Sequence, residues 1–349
     1  MHRQTLKLIK RTQLTHDAFE LTFAPLNAHS FQYKSGQFLT FLFPNNGHPF
    51  RRSYSLSSCE PTDTYPTITL KAIENGAASR ILIQELHIGD TIESLPPKGV
   101  FVLDSHKNGR AFDLFLMAAG SGIGPIWGII KDAFYNHPLC KIHLLYSYRD
   151  KNNAAYLNEF ITMANNHPNR FRLVQIHSQN KHIKFARLNS DLLLHEIDNH
   201  LLNDKQDAQV FTCGPIDYMD MVFITLLTHG FKKDQLKKEH FEIEELEGDL
   251  KSFMNHVSYK AQLVLDGKSI TIDLPPHTSI LNAAIQSGIE LPYSCKSGKC
   301  ASCIVNCTDG KVLMSYNEVL TDKDISSGRI LTCTGYAHSN ITLDFDHTF

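Results

Sequence analysis

Residues 114–130 read LFLMAAGSGIGPIWGII, and the reading of this one stretch decides the fold. Ser121 is its only polar side chain. A membrane-spanning helix needs about 20 predominantly apolar residues. Here Gly120, Gly122, Gly124 and Pro125 stand in the middle of the run. Glycines at that spacing allow a tight turn, so the stretch reads as a strand, a glycine turn and the start of a helix. A buried strand that feeds a glycine loop opening a helix is an entry unit of a parallel α/β sheet. The loop backbone can then approach a pyrophosphate closely. The spacing is G-x-G-x-G, not the G-x-G-x-x-G of Rossmann dehydrogenases. A close-packing turn is the plainer alternative.

The same rhythm continues outward from this stretch. Apolar strands at Leu114–Ala118, Ile142–Tyr146, Phe171–Ile176 and Val210–Cys213 alternate with helical patterns near Pro125–Asn136, Ala154–Asn165, Ser190–Leu202 and Ile216–His229. Repeated β-α units argue an α/β, doubly wound parallel sheet over residues 108–241. Upstream, residues 1–107 carry short strands at Thr5–Ile9, Phe19–Phe23, Phe38–Phe43, Tyr54–Leu56, Ile68–Ala72 and Thr91–Leu95, with one helix near Ala77–Leu86. That spacing suggests a small antiparallel β-barrel. Downstream, residues 242–256 include Glu242, Glu244, Glu245, Glu247 and Asp249, a solvated linker by composition. Such a linker invites movement of the C-terminal segment. Residues 257–349 begin a third, α+β pattern. Strands Tyr259–Leu265 and Ser269–Leu274 flank the turn Asp266-Gly267, and a helix near Ser279–Ser287 precedes a cysteine cluster.

Composition bounds the function. The 349 residues suffice for two or three domains, and a net charge of −2 gives no global basic field for nucleic acid. Five of the 8 cysteines lie between 295 and 333, which argues a metal site rather than a disulfide framework. The start, MHRQTLKLIKRT, has no continuous apolar segment, so no signal peptide is expected and a reducing cytoplasm is.

Cys295, Cys300 and Cys303 have the spacing C-x4-C-x2-C, and Cys333 follows after 29 further residues. This is the plant-type [2Fe–2S] ligand spacing. Three thiolates on a tight loop can wrap one side of a small cluster, and a fourth from another element closes the cage. Lys296, Ser297, Gly298 and Lys299 let the loop turn and offer amides to sulfur. A zinc site usually pairs C-x2-C twice, and the second pair is missing. Cys307 lies outside the spacing and reads as a structural thiol. With Leu291-Pro292-Tyr293-Ser294 before the first ligand and Ile330-Leu331-Thr332 before the last, the segment resembles plant-type ferredoxins, which implies a β-grasp fold.

Two more words point the same way. Arg52-Ser53-Tyr54-Ser55 resembles the Arg-x-Tyr-Ser motif of the ferredoxin–NADP reductase family. The resemblance implies an FAD site in which Arg52 clamps the pyrophosphate, Tyr54 packs on the flavin and Ser55 hydrogen-bonds near N5, with Ser53 beside them. In Lys71–Ser79, KAIENGAAS, Gly76 and Ser79 match the family's Gly-x-x-Ser/Thr phosphate turn at a helix N-terminus, with Lys71 and Ala78 as further cofactor-binding candidates, although relatives often have Gly-Gly where this chain has Asn75-Gly76. Gly120, Gly122, Gly124 and Pro125 resemble the family's nicotinamide-nucleotide loop. Cys213-Gly214-Pro215 matches its Cys-Gly-Pro, with the Cys beside the nicotinamide. Ser55 and Cys213 are thus the expected catalytic pair. A nucleophilic Cys213 is the sharper alternative, though no particular His is placed as its base.

The resemblance further implies that Arg149 and Ser178 meet the adenosine ribose or its phosphate. Gln179 stands where NADP-specific relatives carry Arg, while no acidic residue stands there to grip a free diol; NADPH is favoured and NADH stays open. Arg187-Leu188 resembles a family pair that opens the next helix. Phe241 is a candidate cover for the flavin ring, or a core residue. Barrel, nucleotide domain and ferredoxin domain together resemble the reductases of oxygenases and hydroxylases. This implies electron flow from NAD(P)H through FAD and a [2Fe–2S] cluster to a protein acceptor, in the cytoplasm and without stable membrane insertion. A general ferredoxin or flavodoxin reductase, or a supplier to a membrane desaturase, is the alternative. A non-enzymatic carrier would show eroded motifs, and these stand.

Overall fold

The computed structural model describes residues 3–27, 31–43, 50–73, 77–103, 109–180, 182–241 and 255–347. Gly76 and the acidic run 242–250 lie outside the described residues. The chain forms two compact units, one of Arg3–Pro97 with Phe101–His240, the other of the chain from Phe241 together with Lys98–Val100.

The first unit opens with β1 (Gln4–Gln13), β2 (Ala18–Pro25), β3 (Phe38–Phe43), β4 (Phe50–Ser55), β5 (Thr67–Lys71) and β6 (Thr91–Ser94). They pair antiparallel in the order β4-β3-β6-β1-β2-β5. A bridge between Leu56 and Ile68 joins the two ends of the sheet. Leu6, Leu8, Leu21, Phe23 and Phe41 fill the interior from alternate positions, the period-2 signal of a one-sided strand. Between β5 and β6 a short helix, α1 (Ala77–Arg80), runs on into a π-helical turn, Ile81–Glu85. The Arg11 guanidinium donates to the carbonyls of Leu82 and Leu86 at its end.

The second half of this unit follows a β-α rhythm: β7 (Asp113–Ala119), α2 (Ile123–Asn136), β8 (Lys141–Tyr148), α3 (Leu157–Asn166), β9 (Phe171–His177), α4 (Ser190–His200), β10 (Gln209–Cys213), α5 (Ile216–Thr228) and β11 (Leu236–Glu239). All five strands are parallel, in the order β11-β10-β7-β8-β9. Leu114 and Leu116 of β7 pack with α2 and α3, whereas Phe115 and Met117 pack with α4 and α5. Burial on both faces is why β7 reads as an unbroken apolar run. The connections that follow β7 and β10 run in opposite directions, to β8 and β11, so the crevice beyond the C-terminal ends of β7 and β10 is the topological switch point, where such sheets bind ligands. β11 has no counterpart among the strands read from sequence. Its word is Leu236-Lys237-Lys238-Glu239, and it holds its place by laying Lys237 over the Phe211 ring and Lys238 over Phe223.

The second unit is a mixed sheet of β12 (Tyr259–Leu265), β13 (Lys268–Leu274), β14 (Ile304–Asp309), β16 (Arg329–Leu331) and β18 (Ile341–Asp344), in the order β13-β12-β18-β14-β16. A small pair, β15 (Val312–Met314) with β17 (Gly335–Ala337), and two helices, α6 (Ile280–Gln286) and α7 (Asp322–Ser326), complete it. Asp266 and Gly267 both take positive φ, 50° and 70°, the geometry of a type I′ hairpin turn. The Asp346 carboxylate accepts from both their amides. No helix among the described residues is long and apolar enough to cross a membrane.

One buried, hydrogen-bonded carboxylate anchors the nucleotide sheet. Asp113 Oδ1 lies 3.1 Å from His143 Nε2, and Oδ2 accepts from the amides of Leu202 and Asn203 and from the Asn203 side chain at 3.0, 2.6 and 3.0 Å. Burial opposes ionisation of Asp113, but His143 and the Asn203 hydrogen bonds outweigh it and hold the carboxyl below its usual value. Its contribution is therefore present above the ordinary aspartate pKa and is lost as pH falls through the lower, folded value. Asp113→Asn, which sets an amide against these donors, is expected to lower stability by about 3 kcal/mol at pH 7. Denaturant unfolding of the two proteins, with the gap shrinking in acid, is the check.

Candidate functional site

The switch point is built by close approach. Gly122 sits so tightly on the end of β10 that a β-carbon there would lie 2.1 Å from the Cys213 carbonyl oxygen. Gly214 is held in the same way, 2.8 Å from the Ala119 β-carbon. The loop Gly120–Gly122 and the Cys213-Gly214-Pro215 turn thus interlock, and Gly124 and Pro125 start α2. A loop with no β-carbon at 122 leaves its backbone amides available to an anion at the N-terminal end of α2.

Ser55 comes to this crevice from the barrel. Strand alternation puts Arg52 and Tyr54 on the face of Phe41, and Ser53 and Ser55 on the opposite face. The Arg52 guanidinium is exposed and donates to its neighbour's carbonyl, Arg51 O, at 2.8 Å. Tyr54 lies half-buried against Phe41, with its ring 6.0 Å away. Ser53 shares a 2.8 Å hydrogen bond with Thr40. Ser55 is buried, and its hydroxyl hydrogen-bonds the carboxyl of Glu239. Of the phosphate-turn residues, Ala78 and Ser79 are buried, with Ser79 Oγ accepting from Ile73 N at 3.4 Å. Lys71 forms an ion pair with Asp17 at 2.9 Å.

Glu239 is the site residue that sequence reading missed. It ends β11 directly beside Cys213, its ladder partner, and the Cys213 thiol donates to the Glu239 carbonyl at 3.4 Å. Although the residue as a whole is only partly buried, its Oε2 has neither solvent contact nor a hydrogen-bond partner. Burial pushes this carboxyl up to about 8, against the lowering effect of Ser55. Cys213 is fully buried, and burial together with Glu239 pushes its thiol well above the ordinary value. A buried thiol held protonated is no nucleophile. The signal that could have found Glu239 is its place: a carboxylate at the C-terminal end of a parallel strand next to the switch point.

Further along the same edge, Arg149, Ser178, Arg187, Pro215, Asp217 and Tyr218 line a cavity of about 550 Å³. The Ser178 hydroxyl donates to the Arg149 carbonyl at 3.0 Å. Both guanidinium groups belong to exposed residues, and among the described residues neither has an acidic partner. Phe241 is exposed.

In the second unit, four thiols gather as two pairs. The Cys303 and Cys333 sulfurs are 3.2 Å apart, and the Cys300 thiol hydrogen-bonds Cys295. All four are unbridged. Among the described residues no three Cys, His, Asp or Glu side chains converge as one metal ion would require. Two thiol pairs match instead a cluster with two irons, each taking two thiolates. The loop is shaped for this: Lys296, Gly298 and Ala301 have φ of 59°, 75° and 61°. Ser297 N donates to Cys295 Sγ and Cys295 N to Cys300 Sγ, each at 3.4 Å. The backbones of Lys299, Ser302 and Gly298 hydrogen-bond Cys295, Cys300 and Cys333 respectively. Such inward amides stabilise a negatively charged sulfur cage. Within the pairs, Cys295 and Cys333 are held low by the thiols of Cys300 and Cys303, whose own values are raised.

Three family models match successive parts of the chain. Residues 5–103 match an oxidoreductase FAD-binding domain, 116–223 an oxidoreductase NAD-binding domain, and 263–338 a 2Fe-2S iron–sulfur cluster binding domain. The chain is 30% identical to a subunit of the 1,2-phenylacetyl-CoA epoxidase of Escherichia coli K12, over 98% of this chain and 97% of that protein. It is 31% identical to the ferredoxin reductase component of 3-ketosteroid-9-alpha-monooxygenase of Rhodococcus rhodochrous, over 87% and 85%. The structure of phthalate dioxygenase reductase superposes with a TM-score of 0.60 at 23% identity, over 98% of this chain and 97% of that one, and supports the fold.

The raised Glu239 carboxyl has a measurable sign. It stays neutral in the folded protein up to about pH 8 but ionises at the ordinary carboxylate value when unfolded. Its stabilising effect is thus complete below the unfolded value and is lost as pH rises through the folded one. Relative to Glu239→Gln, the wild-type protein should lose on the order of 1 kcal/mol per pH unit between pH 5 and 8. Thermal unfolding of the two apoproteins across that range tests it; parallel curves would remove the buried carboxyl from the account.

Proposed function

The chain belongs to the family of FAD- and NAD-binding oxidoreductases that carry a 2Fe-2S domain, and we propose that it serves as the reductase component of an oxygenase system. It is an NAD(P)H-dependent oxidoreductase whose cofactors are FAD and a [2Fe–2S] cluster. The observation that carries the reading is the meeting of Ser55, Cys213 and Glu239, which brings the barrel's flavin motif to the nucleotide crevice. FAD held there would supply the chemistry that links a two-electron hydride donor to a one-electron [2Fe–2S] acceptor.

The protein's own residues supply position and electrostatics. Gly120, Gly122 and Gly124 with Pro125 present the amide end of α2 to the dinucleotide pyrophosphate. Cys213, Gly214 and Pro215 form the floor on which the nicotinamide lies, and the buried, uncharged thiol keeps that floor free of charge. Burial keeps the Glu239 carboxyl uncharged at neutral pH, and Ser55 fixes its orientation. Arg52, Ser53, Tyr54, Ala78 and Ser79 hold the flavin and its phosphates. Cys295 with Cys300 would ligate one iron, and Cys303 with Cys333 the other. The acceptor is an oxygenase component by analogy with the ketosteroid monooxygenase and phenylacetyl-CoA epoxidase relatives, and a reducing cytoplasm suits four thiolates that must stay reduced.

Anaerobic titration with NADPH should bleach a flavin band and an iron–sulfur band. Cys300→Ser should keep the flavin response and ferricyanide reduction while losing the cluster band and reduction of cytochrome c. Persistence of cytochrome c reduction would refute the ligand set; absence of any flavin band after adding FAD would refute the function.

NADPH is the donor we favour, because two arginines without acidic partners among the described residues, Arg149 and Arg187, flank the cavity at the adenosine end. Loss of one charge-assisted phosphate contact costs about tenfold in affinity. Arg149→Ala should therefore raise KM for NADPH by about that factor and leave KM for NADH nearly unchanged. Equal losses for both nucleotides would assign Arg149 to the shared part of the donor.

A further inference from the structure

Helix α2 does more than present a loop. One face of it lies directly on the flavin barrel. A β-carbon on Gly124 would come within 3.2 Å of the Thr69 β-carbon, and one on Gly128 within 3.1 Å of the carbonyls of Leu56 and Ser58. One turn later Lys131 makes a 2.5 Å ion pair with Asp63. Positions 124, 128 and 131 are spaced i, i+4, i+7, a single helix stripe. The helix whose N-terminus opens the dinucleotide loop is thus seated along β5 and the segment that follows β4.

A second tie reaches the same place from the next β-α unit. Tyr156 precedes α3 in a left-handed conformation, φ 59°, which is uncommon for a residue with a β-carbon. The residue is buried, and its ring lies 5.5 Å from that of Trp127 on α2. Its hydroxyl donates to Glu20 Oε2 at 2.8 Å and also hydrogen-bonds Thr69 Oγ1. Glu20 and Thr69 are opposite one another in the β2–β5 ladder. One phenol from the nucleotide half therefore grips two adjacent barrel strands, at the residue against which Gly124 is pressed. Burial and the Glu20 carboxyl raise the phenol well above its ordinary value, so it remains a donor across the working pH range.

We infer that Tyr156 is a positioning residue, which holds the nucleotide sheet in one register on the flavin barrel through Thr69 and Glu20 and so sets how the hydride donor meets the flavin. Its contacts include Glu20, Thr69, Trp127 and Phe160. The inference rests on the reductase reading. Small errors of placement at a reacting pair cost rate far more than they cost binding.

The test uses the full-length holoprotein. Tyr156→Phe should retain wild-type FAD content and reduction by dithionite. Its flavin reduction at saturating NADPH should slow by about tenfold or more, with the nucleotide Kd nearly unchanged and the nicotinamide–flavin charge-transfer absorbance diminished. Thr69→Val should act in the same direction, and the double variant should be no slower than the slower single one, since both break one linkage. A Tyr156→Phe protein with wild-type rate and charge-transfer band would overturn the inference. So would a loss confined to Kd, or losses that add in the double variant. Should Tyr156→Phe fail to fold, Thr69→Val alone decides between the same outcomes. Wild-type protein that neither NADPH nor NADH reduces would instead sink the reductase reading itself.

Discussion

The first unit depends on one steric fact: at Gly122 the chain passes over the Cys213 carbonyl with no room for a β-carbon. That contact closes the loop after β7 onto the end of β10 and fixes where α2 begins. Because α2 begins there, its small-residue stripe falls on β5, and the barrel is brought to the switch point. Ser55 then reaches Glu239 without any loop having to extend. A side chain at 122 would lift the loop and move the helix, and every later contact would shift with it.

The two redox sites solve opposite electrostatic problems. In the proposed reading the crevice receives a reduced nicotinamide, whose ring is neutral and becomes cationic as hydride leaves. A fixed charge there would bias either the donor or the product, and a buried charge is costly in any case. Cys213 and Glu239 are both held in their uncharged forms by burial. The carboxyl still differs from an apolar residue, because Ser55 holds it in a fixed orientation. At the cysteine loop the group to be held is anionic. Left-handed residues at 296, 298 and 301 turn amides inward, so partial positive charge surrounds the sulfur. One site removes charge by burial and the other balances it by backbone dipoles.

Legibility in the sequence tracks the range of each constraint. The four cysteines were readable because three sit on one loop, where spacing alone determines reach. The glycine loop was readable because a strand and a helix flank it. Most strands and all long helices of the nucleotide sheet were visible, since burial on two faces leaves continuous apolar runs. β11 was not, because Leu236-Lys237-Lys238-Glu239 is polar and is held by lysine stems over aromatic rings, a tertiary effect. Glu239 was lost with its strand. The short strands of the second unit after the cysteine loop escaped for a similar reason: β15, β16 and β17 have three residues each, too few to show a period. Lys71 illustrates the reverse case, a motif position whose side chain is found on Asp17. The Tyr156 tie joins residues 136 positions apart, Glu20 and Tyr156, and no local pattern announces it.

The placement of ligand sets across the chain has a consequence for specificity. The four thiols of the cluster site all lie between Cys295 and Cys333, within the second unit, and the crevice residues Ser55, Cys213 and Glu239 all lie within the first. Each unit also has its own apolar core. Neither site therefore requires the other unit for its assembly. In the proposed reading, discrimination between nucleotide donors falls to Arg149 and Ser178, which line a cavity at the edge of the parallel sheet. Discrimination between protein acceptors must instead depend on surfaces around the cluster loop, because that is where single electrons leave. A chain organised in this way can change its acceptor by substitutions in the second unit while the hydride site keeps its geometry. That separation is compatible with relatives that serve a ketosteroid monooxygenase and a phenylacetyl-CoA epoxidase at nearly the same identity to this chain.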